Sequence, residues 1–358
     1  MTADGAVDSG PTSRRTRYDI GRDELAVLLE GEPAYRVDQV WDGLYRQGRV
    51  PSELTNVPAV LRSRLDDSLP VALAELTRTT ADDGRTIKFL WDLDGGSRIE
   101  TVLMHYDDRT TVCVSTQAGC AMGCGFCATG QAGFERHLTT GEIVEQVVRA
   151  RREAGDARVS NIVFMGMGEP LANFDRTWAA VHRLHDDLGI GARHLTLSTV
   201  GLVPGIRRLA VADLPVNLAV SLHAADDELR DDLVPINRRY PLSTLIDACH
   251  DYVTRTRRRL SFEWAMIEGV NDRFADSERL AVIARDLRAH VNLIPLNTTP
   301  GFAVRGSSRN RVHAFADDLR RRGVNVTIRD TRGSDIDAAC GQLRAGHEAT
   351  PVPPPTRR

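Results

Sequence analysis

Residues 111–130 read TVCVSTQAGCAMGCGFCATG and place three cysteines directly after a short strand pattern. The first residues alternate between apolar side chains and polar or small ones, which is typical of a β-strand. Cys120, Cys124 and Cys127 then follow in a C-x3-C-x2-C loop that is rich in glycine. Three thiolates at this spacing can hold three irons of a [4Fe–4S] cluster and leave the fourth iron open to another ligand. The stretch therefore predicts an iron–sulfur site on a loop that follows a strand.

Structural zinc is the alternative use of the same three cysteines. A structural zinc ion takes four ligands, and the loop supplies three of them. Cys113 or His137 could provide the fourth. The iron–sulfur interpretation is favoured because the loop follows the first strand in a series of strand–helix units, where α/β barrels carry their chemistry.

Strand and helix patterns alternate after this stretch and determine the fold class. The predicted strands are Thr111–Ser115, Asn161–Met165, His194–Thr199, Val216–Leu222, Leu260–Ile267 and Val291–Leu296, with a further one at Val324–Arg329. One intervening helix begins at Thr139, where Glu142 completes a capping box. Another follows Asn173 and ends at Gly189. These repeated units predict an α/β fold, a partial (β/α)6 barrel with its site at the carboxyl ends of the strands.

The whole chain divides into five predicted segments. They are a flexible polar tail (1–17), a small helical accessory domain (18–72), a β-hairpin-like extension (73–105), the barrel (106–345) and a disordered, proline-rich tail (346–358). The extension is predicted from strand patterns at Thr86–Leu93 and Arg98–His105, which are bracketed by turns that contain glycine. The first tail lacks the apolar run of a secretory signal.

Polar residues that follow the predicted strands indicate a binding site. The loop Gly166–Pro170, GMGEP, follows the second strand, and its glycines allow a ligand to approach the main chain. The Glu169 carboxylate in this loop can hold an ammonium group. Other polar side chains at or just beyond strand ends are Ser198, Ser221, His223 and Asn297. We expect them to converge at one end of the barrel.

The remaining cysteines and one glutamate carry weaker signals. Cys113 alternates with two valines, so its side chain can point into the barrel lumen near the three-cysteine loop. Cys340 lies in AACGQ after the last strand and is either a small buried hydrophobe or a functional thiol at the barrel end. Cys249 is assigned to helix packing. The pattern around Glu100 favours a surface residue.

Composition restricts the class of protein. The net charge of −3 over 358 residues removes a general basic signal for nucleic acid. No run of about 20 apolar residues predicts a membrane span. Six cysteines without a secretory signal indicate a reducing cytoplasm and metal or redox chemistry. Arginine clusters such as residues 320–322 are interpreted as solvated helix faces, and a monomer is expected.

Several stretches together resemble the RlmN family of dual-specificity RNA methyltransferases, within the radical SAM superfamily. The matching stretches are residues 111–130, FMGMGEPL at 164–171, LTLSTVG at 195–201, SLH at 221–223, VPIN at 234–237, NLIP at 292–295 and TRGSDIDAACGQL at 331–343. The resemblance runs from about residue 18 to residue 343. It implies a radical SAM barrel in which Cys120, Cys124 and Cys127 ligate the cluster and S-adenosylmethionine (SAM) binds the open iron.

The same resemblance implies the SAM contacts and the reaction, which uses two SAM molecules per turnover. The implied contacts are Gly168, Glu169, Ser198, Ser221, Leu222, His223 and Asn297. Cys340 would take a methyl group from one SAM, and the second would give a 5′-deoxyadenosyl radical that abstracts hydrogen from that methyl group. The methylene radical would add to C2 of an adenine. Cys113 would release the product by forming a disulfide with Cys340, and either Glu100 or Cys113 would accept the proton.

The implied substrates are adenine 2503 of 23S rRNA and adenine 37 of certain tRNAs. The N-terminal helices resemble the family's RNA-binding module, and an external electron donor such as flavodoxin would reduce the cluster. His137, Trp264, Asp330 and the pair at 298–299 depart from the family pattern. Two alternatives stay open. A relative that methylates C8 of the same adenine shares these cysteines, and a non-catalytic iron–sulfur or zinc protein would only bind RNA.

Overall fold

The computed structural model of the chain describes residues 15–297, 299, 304–329, 333, 336–338 and 342–343. Most of the first predicted tail and all of the last lie outside these residues. The strands are β1 Leu73–Ala81, β2 Thr86–Leu93, β3 Arg98–His105, β4 Thr110–Cys113, β5 Gln117–Gly119, β6 Phe134–His137, β7 Val159–Phe164, β8 Leu195–Thr199, β9 Asn217–Ser221, β10 Leu260–Met266, β11 His290–Pro295 and β12 Asn325–Ile328.

Ten of the strands in the described part of the chain form one mixed sheet, in the order β1-β2-β3-β4-β7-β8-β9-β10-β11-β12. From β4 onward, neighbouring strands run parallel. These are the six predicted barrel strands and the further one, with bounds that differ by one or two residues. The predicted α/β fold with an open barrel is therefore confirmed. Because the strands are parallel, their carboxyl ends share one edge of the sheet.

Three helices precede β1, and eight further helices of the described residues lie in the connections between strands. They are α1 Arg22–Leu28, α2 Tyr35–Tyr45, α3 Ala59–Ser68, α4 Ala128–Ala132, α5 Thr140–Glu153, α6 Phe174–His182, α7 Val203–Leu209, α8 Asp227–Leu233, α9 Leu242–Thr256, α10 Phe274–Asp286 and α11 Arg309–Arg321. The predicted capping box of α5 is present. The Glu142 amide donates to Thr139 Oγ1 at 3.1 Å, and the Thr139 amide donates to Glu142 Oε2 at 2.8 Å.

Helix α2 packs against the turn that follows α6. Trp41 and Tyr45 of α2 are buried, and Trp41 Nε1 donates to Asp187 Oδ1 at 2.8 Å. The Arg183 guanidinium lies 4.7 Å from the centre of the Trp41 ring. A buried aromatic face and a cation–π contact therefore attach this helical segment to the barrel.

The segment between these helices and the barrel forms three strands, where the sequence predicts two. The additional strand, β1, is exposed along most of its length, so it lacks the alternation that reveals a half-buried strand. β1, β2 and β3 pair in antiparallel fashion, and β3 pairs with β4. The extension therefore continues the barrel sheet instead of forming a separate hairpin.

A two-stranded sheet outside the barrel supports the cysteine loop. β5 precedes the three cysteines, β6 follows them, and the two strands pair in antiparallel fashion. β5 is three residues long, which is too short for a periodic pattern, and the sequence did not predict it. Among the helices of the described residues, none combines the length and apolar character needed to cross a bilayer.

Candidate active site

A cavity of about 300 Å³ opens at the carboxyl ends of the parallel strands. It brings together residues that lie up to 241 positions apart in the sequence, from Val102 to Leu343. The sequence-predicted site residues that line it are Cys113, Cys120, Cys124, Cys127, Gly168, Glu169, Ser198, Ser221, His223 and Asn297. The predicted convergence of strand-end polar groups on the cysteine loop is therefore what the fold produces.

Two predicted residues do not line this cavity. Leu222 is fully buried in the apolar core, because it points to the other face of the chain from Ser221. Glu100 is also buried, and it forms an ion pair with Lys88 at 3.1 Å. The expectation of a surface residue at Glu100 was therefore wrong. Glu100 lies on the same face of β3 as Val102, which does line the cavity.

The cysteine loop offers three thiols in a closely held conformation. The Cys120 amide donates to the Gly133 carbonyl at 2.7 Å, and the Cys127 amide donates to the Cys124 carbonyl at 3.1 Å. Burial raises the pKa of Cys120 to about 12 and raises that of Cys124 well above its usual value, and the neighbouring thiols add to both shifts. Such thiols stay protonated unless a cation stabilises the thiolates. Three soft donors in this environment fit an iron–sulfur cluster better than a set of free nucleophiles.

Of the two possible fourth ligands for a structural zinc ion, Cys113 lines the cavity and His137 does not. The Nδ1 atom of His137 lies 3.0 Å from Gln117 Nε2. Its ring packs edge-on against Phe134. Within the part of the chain that the structure describes, no three His, Cys, Asp or Glu side chains are arranged to hold a single metal ion.

The GMGEP loop lies directly against the chain that precedes the cysteines. Gly168 has φ +102°, and a Cβ at this position would lie 2.5 Å from Gln117 Cβ. The Glu169 amide donates to Gln117 Oε1 at 2.8 Å. This packing turns the Glu169 side chain toward the cavity, as its place in the cavity wall shows.

The Glu169 carboxylate is 2% exposed and accepts hydrogen bonds from neutral donors. The Val200 amide donates to Oε2 at 2.9 Å, and the Leu171 amide donates to Oε1 at 3.1 Å. Burial raises the pKa of Glu169 to about 7, although these hydrogen bonds and one from Thr199 oppose the shift. A buried carboxylate whose donors are all neutral is suited to a cationic ligand such as an ammonium group.

His223 is held as a neutral ring in the cavity wall. Its Nδ1 accepts a hydrogen bond from the Ala265 amide at 3.0 Å, so the ring proton is on Nε2. Burial lowers the pKa of His223 to about 3. The residue has φ +59° and lies two positions beyond the end of its strand at Ser221. Its Phe126 neighbour, on the cysteine loop, packs edge-on against the ring at 4.6 Å.

Residues on both sides of Cys340 are attached to the cavity wall. Lys88 Nζ donates to the Asp337 carbonyl at 3.3 Å, and Thr129 Oγ1 donates to the Leu343 carbonyl at 2.5 Å. Ala338 and Leu343 both line the cavity. Cys340 itself lies outside the described residues, as do Asp330 and the first residue of the 298–299 pair.

Several cavity residues were not predicted. Glu263 and Arg329 form an ion pair at 3.2 Å in the wall, and Arg109 stacks on the Tyr106 ring at 4.2 Å. Glu263 alternates with the buried Phe262 and the fully buried Trp264, which is a signal that sequence analysis could have used. Arg109 follows β3 in a turn, and no local pattern reveals it.

The arginine cluster at residues 320–322 lies on α11, outside the cavity wall. Arg320 pairs with Asp317 at 2.7 Å, and Arg322 pairs with Asp318 at 2.8 Å. Ion pairs within one helix are expected of a solvated helix face, as predicted for this cluster.

Comparison with known proteins gives concordant results over nearly the whole chain. The radical SAM superfamily matches residues 114–281, which include the three-cysteine loop. The chain is 49% identical to the "probable dual-specificity RNA methyltransferase RlmN" of Salinispora tropica, over 94% of each protein. It is also 49% identical to the protein of the same name from Chloroflexus aurantiacus, over 95% of each.

A crystal structure of a radical SAM methyltransferase from Sphaerobacter thermophilus is similar as well, with a TM-score of 0.89 and 50% identity over 92% of this chain and 99% of that one. Radical SAM proteins use a [4Fe–4S] cluster and SAM, in agreement with the donor set of the cavity. The non-catalytic alternative is thereby excluded. The chain belongs to the RlmN family and is a radical SAM RNA methyltransferase.

Proposed function

We propose that this enzyme methylates C2 of adenine 2503 in 23S rRNA and C2 of adenine 37 in some tRNAs, through a methylated Cys340. One observation carries the proposal. A single cavity holds the three-cysteine loop, Glu169 and Cys113, and the residues on both sides of Cys340, Ala338 and Leu343, line the same cavity. A thiol two residues from Ala338 is suited to work together with Cys113.

The proposed cofactor site uses residues of the cavity wall. Cys120, Cys124 and Cys127 would ligate the cluster, and Glu169 would bind the ammonium group of SAM. The remaining contacts with SAM would come from Gly168, Ser198, Ser221, His223 and Asn297. Leu222 would contact SAM through its main chain, between Ser221 and His223. The bound cluster would supply the electron that cleaves SAM into a 5′-deoxyadenosyl radical.

Cys340 and Cys113 have distinct proposed roles. The Cys340 thiolate takes a methyl group from SAM, and its methylene form becomes bonded to C2 of the adenine. Adenine C2 is not nucleophilic, so a carbon radical is needed where polar transfer from SAM would fail. The radical formed by this addition loses the C2 proton and one electron, which the oxidised cluster would take up, to give a thioether. The Cys113 thiolate then attacks the sulfur of Cys340 and forms a disulfide, and the sulfur–carbon bond breaks with its electron pair on the methylene carbon, which takes up a proton to become the methyl group. An external thiol reductant would reduce the disulfide before the next turnover.

A proton must also leave C2, and its acceptor is either Glu100 or Cys113. Glu100 lies two residues before Val102 on the same face of β3, and Val102 lines the cavity. Val102 is paired in register with Cys113 on β4, so Glu100 and Cys113 belong to adjacent positions of the same sheet. We propose Glu100 as the proton acceptor because Cys113 is already needed as the resolving nucleophile.

The experiment that tests the function is product analysis. The protein is purified without oxygen, reconstituted with iron and sulfide, and incubated with SAM, a reductant and unmodified 23S rRNA fragments or tRNA. Nucleosides are then identified by mass spectrometry, with Cys340→Ala in parallel. We expect 2-methyladenosine from the wild type and none from the variant. 8-Methyladenosine would identify the C8-methylating alternative, and SAM cleavage without either product would reject the substrate assignment.

Glu169 is expected to make SAM binding depend on pH. Its pKa is raised to about 7, so the free protein is partly protonated near neutrality, whereas the SAM ammonium group requires the ionised carboxylate. Affinity is therefore present above pH 7 and is lost as the pH falls, and we expect roughly tenfold weaker binding at pH 6 than at pH 7.5. His223 stays neutral throughout this range because its pKa is lowered to about 3.

The measurement is equilibrium dialysis of SAM against the reconstituted protein between pH 6 and 7.5. Glu169→Gln is the matched control, since it keeps the shape and removes the titrating group. We expect weaker binding in this variant and no dependence on pH. A wild-type affinity that is constant across this range would contradict the assigned role.

The proposed partners follow from the same assignment. The helices within residues 18–72 would form an RNA-binding accessory domain, and the barrel would occupy residues 106–345. The enzyme would act as a cytoplasmic monomer and would receive electrons from an external donor such as flavodoxin.

A further inference from the structure

The side chain of Arg230 places a buried guanidinium beside the cysteine loop. Its side chain is 0% exposed. The residue lies on α8 between Leu229 and Leu233, which pack with Cys124 in one buried apolar cluster. Removing a guanidinium from water costs free energy unless its N–H groups and its charge both find partners. The partners of Arg230 therefore indicate what the residue is for.

Neutral oxygens satisfy the N–H groups of this guanidinium. Nε donates to the Leu222 carbonyl at 3.1 Å, and Nη2 donates to the Val200 carbonyl at 2.6 Å. Nη1 donates to the side-chain oxygen of Asn237 at 2.7 Å. The carboxylate of Asp227 contacts Asn237 and not Arg230 itself: Asn237 Nδ2 donates to Asp227 Oδ1 at 2.9 Å. Each nitrogen of the guanidinium therefore has an acceptor, but none of these acceptors carries a charge.

The guanidinium lies directly behind the wall of the cavity that contains the three cysteines. Arg230 Nη2 donates to the Val200 carbonyl and also to the Ser221 carbonyl at 3.3 Å, and both of these residues line that cavity. Arg230 and Cys124 are both buried, so the charge of the guanidinium and a negative charge held by the cysteine loop would be only weakly screened from each other.

The chain around Arg230 is adapted to this arrangement. Gly201 has φ +109°, and a Cβ at this position would lie 3.2 Å from Arg230 Nη2. Asn237, which belongs to the VPIN stretch, orients the guanidinium and receives no other role from the cavity geometry. The fold thus holds one cation in a fixed position behind the cysteine loop.

We propose that Arg230 is the counter-ion of the iron–sulfur cluster and makes the cluster easier to reduce. The inference rests on the cluster proposed for Cys120, Cys124 and Cys127. Three thiolates and a [4Fe–4S] core carry a net negative charge, which grows by one unit when the core accepts an electron. A fixed buried cation stabilises the reduced form more than the oxidised form, and charge near a cluster is one of the factors that set its potential.

The test is a redox titration of the full-length protein, reconstituted without oxygen and kept free of SAM and RNA. The midpoint potential is followed by electron paramagnetic resonance under a one-electron reductant, and iron is counted in each sample. Arg230→Gln keeps hydrogen-bond donors and removes the charge. We expect its potential to become more negative by at least a tenfold change in the reduction equilibrium, which is about 59 mV for a one-electron couple.

Two further variants separate charge from structure. Arg230→Lys keeps the charge but not the geometry of the fork, and we expect a potential close to that of the wild type. Arg208→Gln removes one charge from an exposed arginine that pairs with Asp175, and we expect no shift. A purely structural Arg230, which only ties Val200 and Leu222 together, would change stability and SAM affinity but not the potential of the SAM-free cluster.

The outcomes are distinct. Arg230→Gln with a full complement of iron and an unchanged potential would overturn the inference and leave the proposed function intact. If Arg230→Gln does not fold, Arg230→Lys decides, because a potential shifted by tenfold or more in that variant would assign the effect to hydrogen-bond geometry. A wild-type protein that assembles no cluster would overturn both the inference and the proposed function.

Discussion

Replacing Cys124 by alanine is expected to abolish cluster binding, SAM cleavage and RNA methylation together. Cys124 is 5% exposed and lies between the two other cysteines of the loop. The variant leaves two thiols, which are too few to hold three irons of the cluster. Because SAM binds the remaining iron in the proposed site, radical formation fails as well. Iron content, cluster absorbance and release of 5′-deoxyadenosine measure the three losses.

Cys249→Ala is the matched control for this prediction. Cys249 is buried as well, but it packs on α9 in the main apolar core and does not line the cavity. The same atoms are removed in both variants. We expect Cys249→Ala to keep its cluster and to lose only about 1 kcal/mol of unfolding free energy. A Cys124→Ala protein with the iron content and SAM cleavage of the wild type would refute the ligand assignment.

The elements that sequence predicts well are those whose signals are local. Thr139 and Glu142 form the expected capping box because its two hydrogen bonds depend on residues three positions apart. The parallel strands are predicted within two residues because each is a short apolar run between turns. Their parallel arrangement follows from the intervening helices, and it places Ser198 and Ser221 at one edge of the sheet without further information.

Contacts between segments that are distant in the sequence are predicted less well, because no local pattern reveals them. Glu100 reads as a surface residue because its neighbours show no partner for its charge, and burial depends on Lys88 from the adjacent strand. Lys88, the only lysine in the chain, also contacts Asp337, which lies 249 positions later in the sequence. The exposed strand β1 is missed for a related reason, since pairing with β2 and not burial of side chains defines it.

Leu222 illustrates a different limit. The alternation of side chains along an extended chain places Ser221 and His223 toward the cavity and Leu222 toward the core. A contact between Leu222 and SAM would therefore involve its main chain. Its amide already donates to the Glu263 carbonyl at 3.1 Å, and its carbonyl accepts from Arg230. Residue-by-residue transfer from a family pattern identifies the position but not the group that acts.

Replacing Cys113 by alanine is expected to trap the enzyme on its RNA. Cys113 ends β4, is 9% exposed and lines the cavity beside the three-cysteine loop. In the proposed reaction it breaks the bond between Cys340 and the methylated adenine. Without its thiolate, the first turnover stops at a covalent protein–RNA thioether. We expect no released methyladenosine, at most one equivalent of adduct per enzyme, and a band of slower mobility on a denaturing gel with labelled RNA.

The controls assign that band to the two cysteines. A Cys113→Ala, Cys340→Ala double variant has no methyl acceptor, so no adduct should form, and Cys249→Ala should turn over as the wild type does. Alanine at position 113 leaves the ligating cysteines and Glu169 in place, so the variant is expected to separate SAM cleavage from the release of RNA. SAM cleavage in the first turnover should therefore proceed normally while release of RNA fails. Repeated turnover by Cys113→Ala would show that another group resolves the thioether and would remove Cys113 from the mechanism.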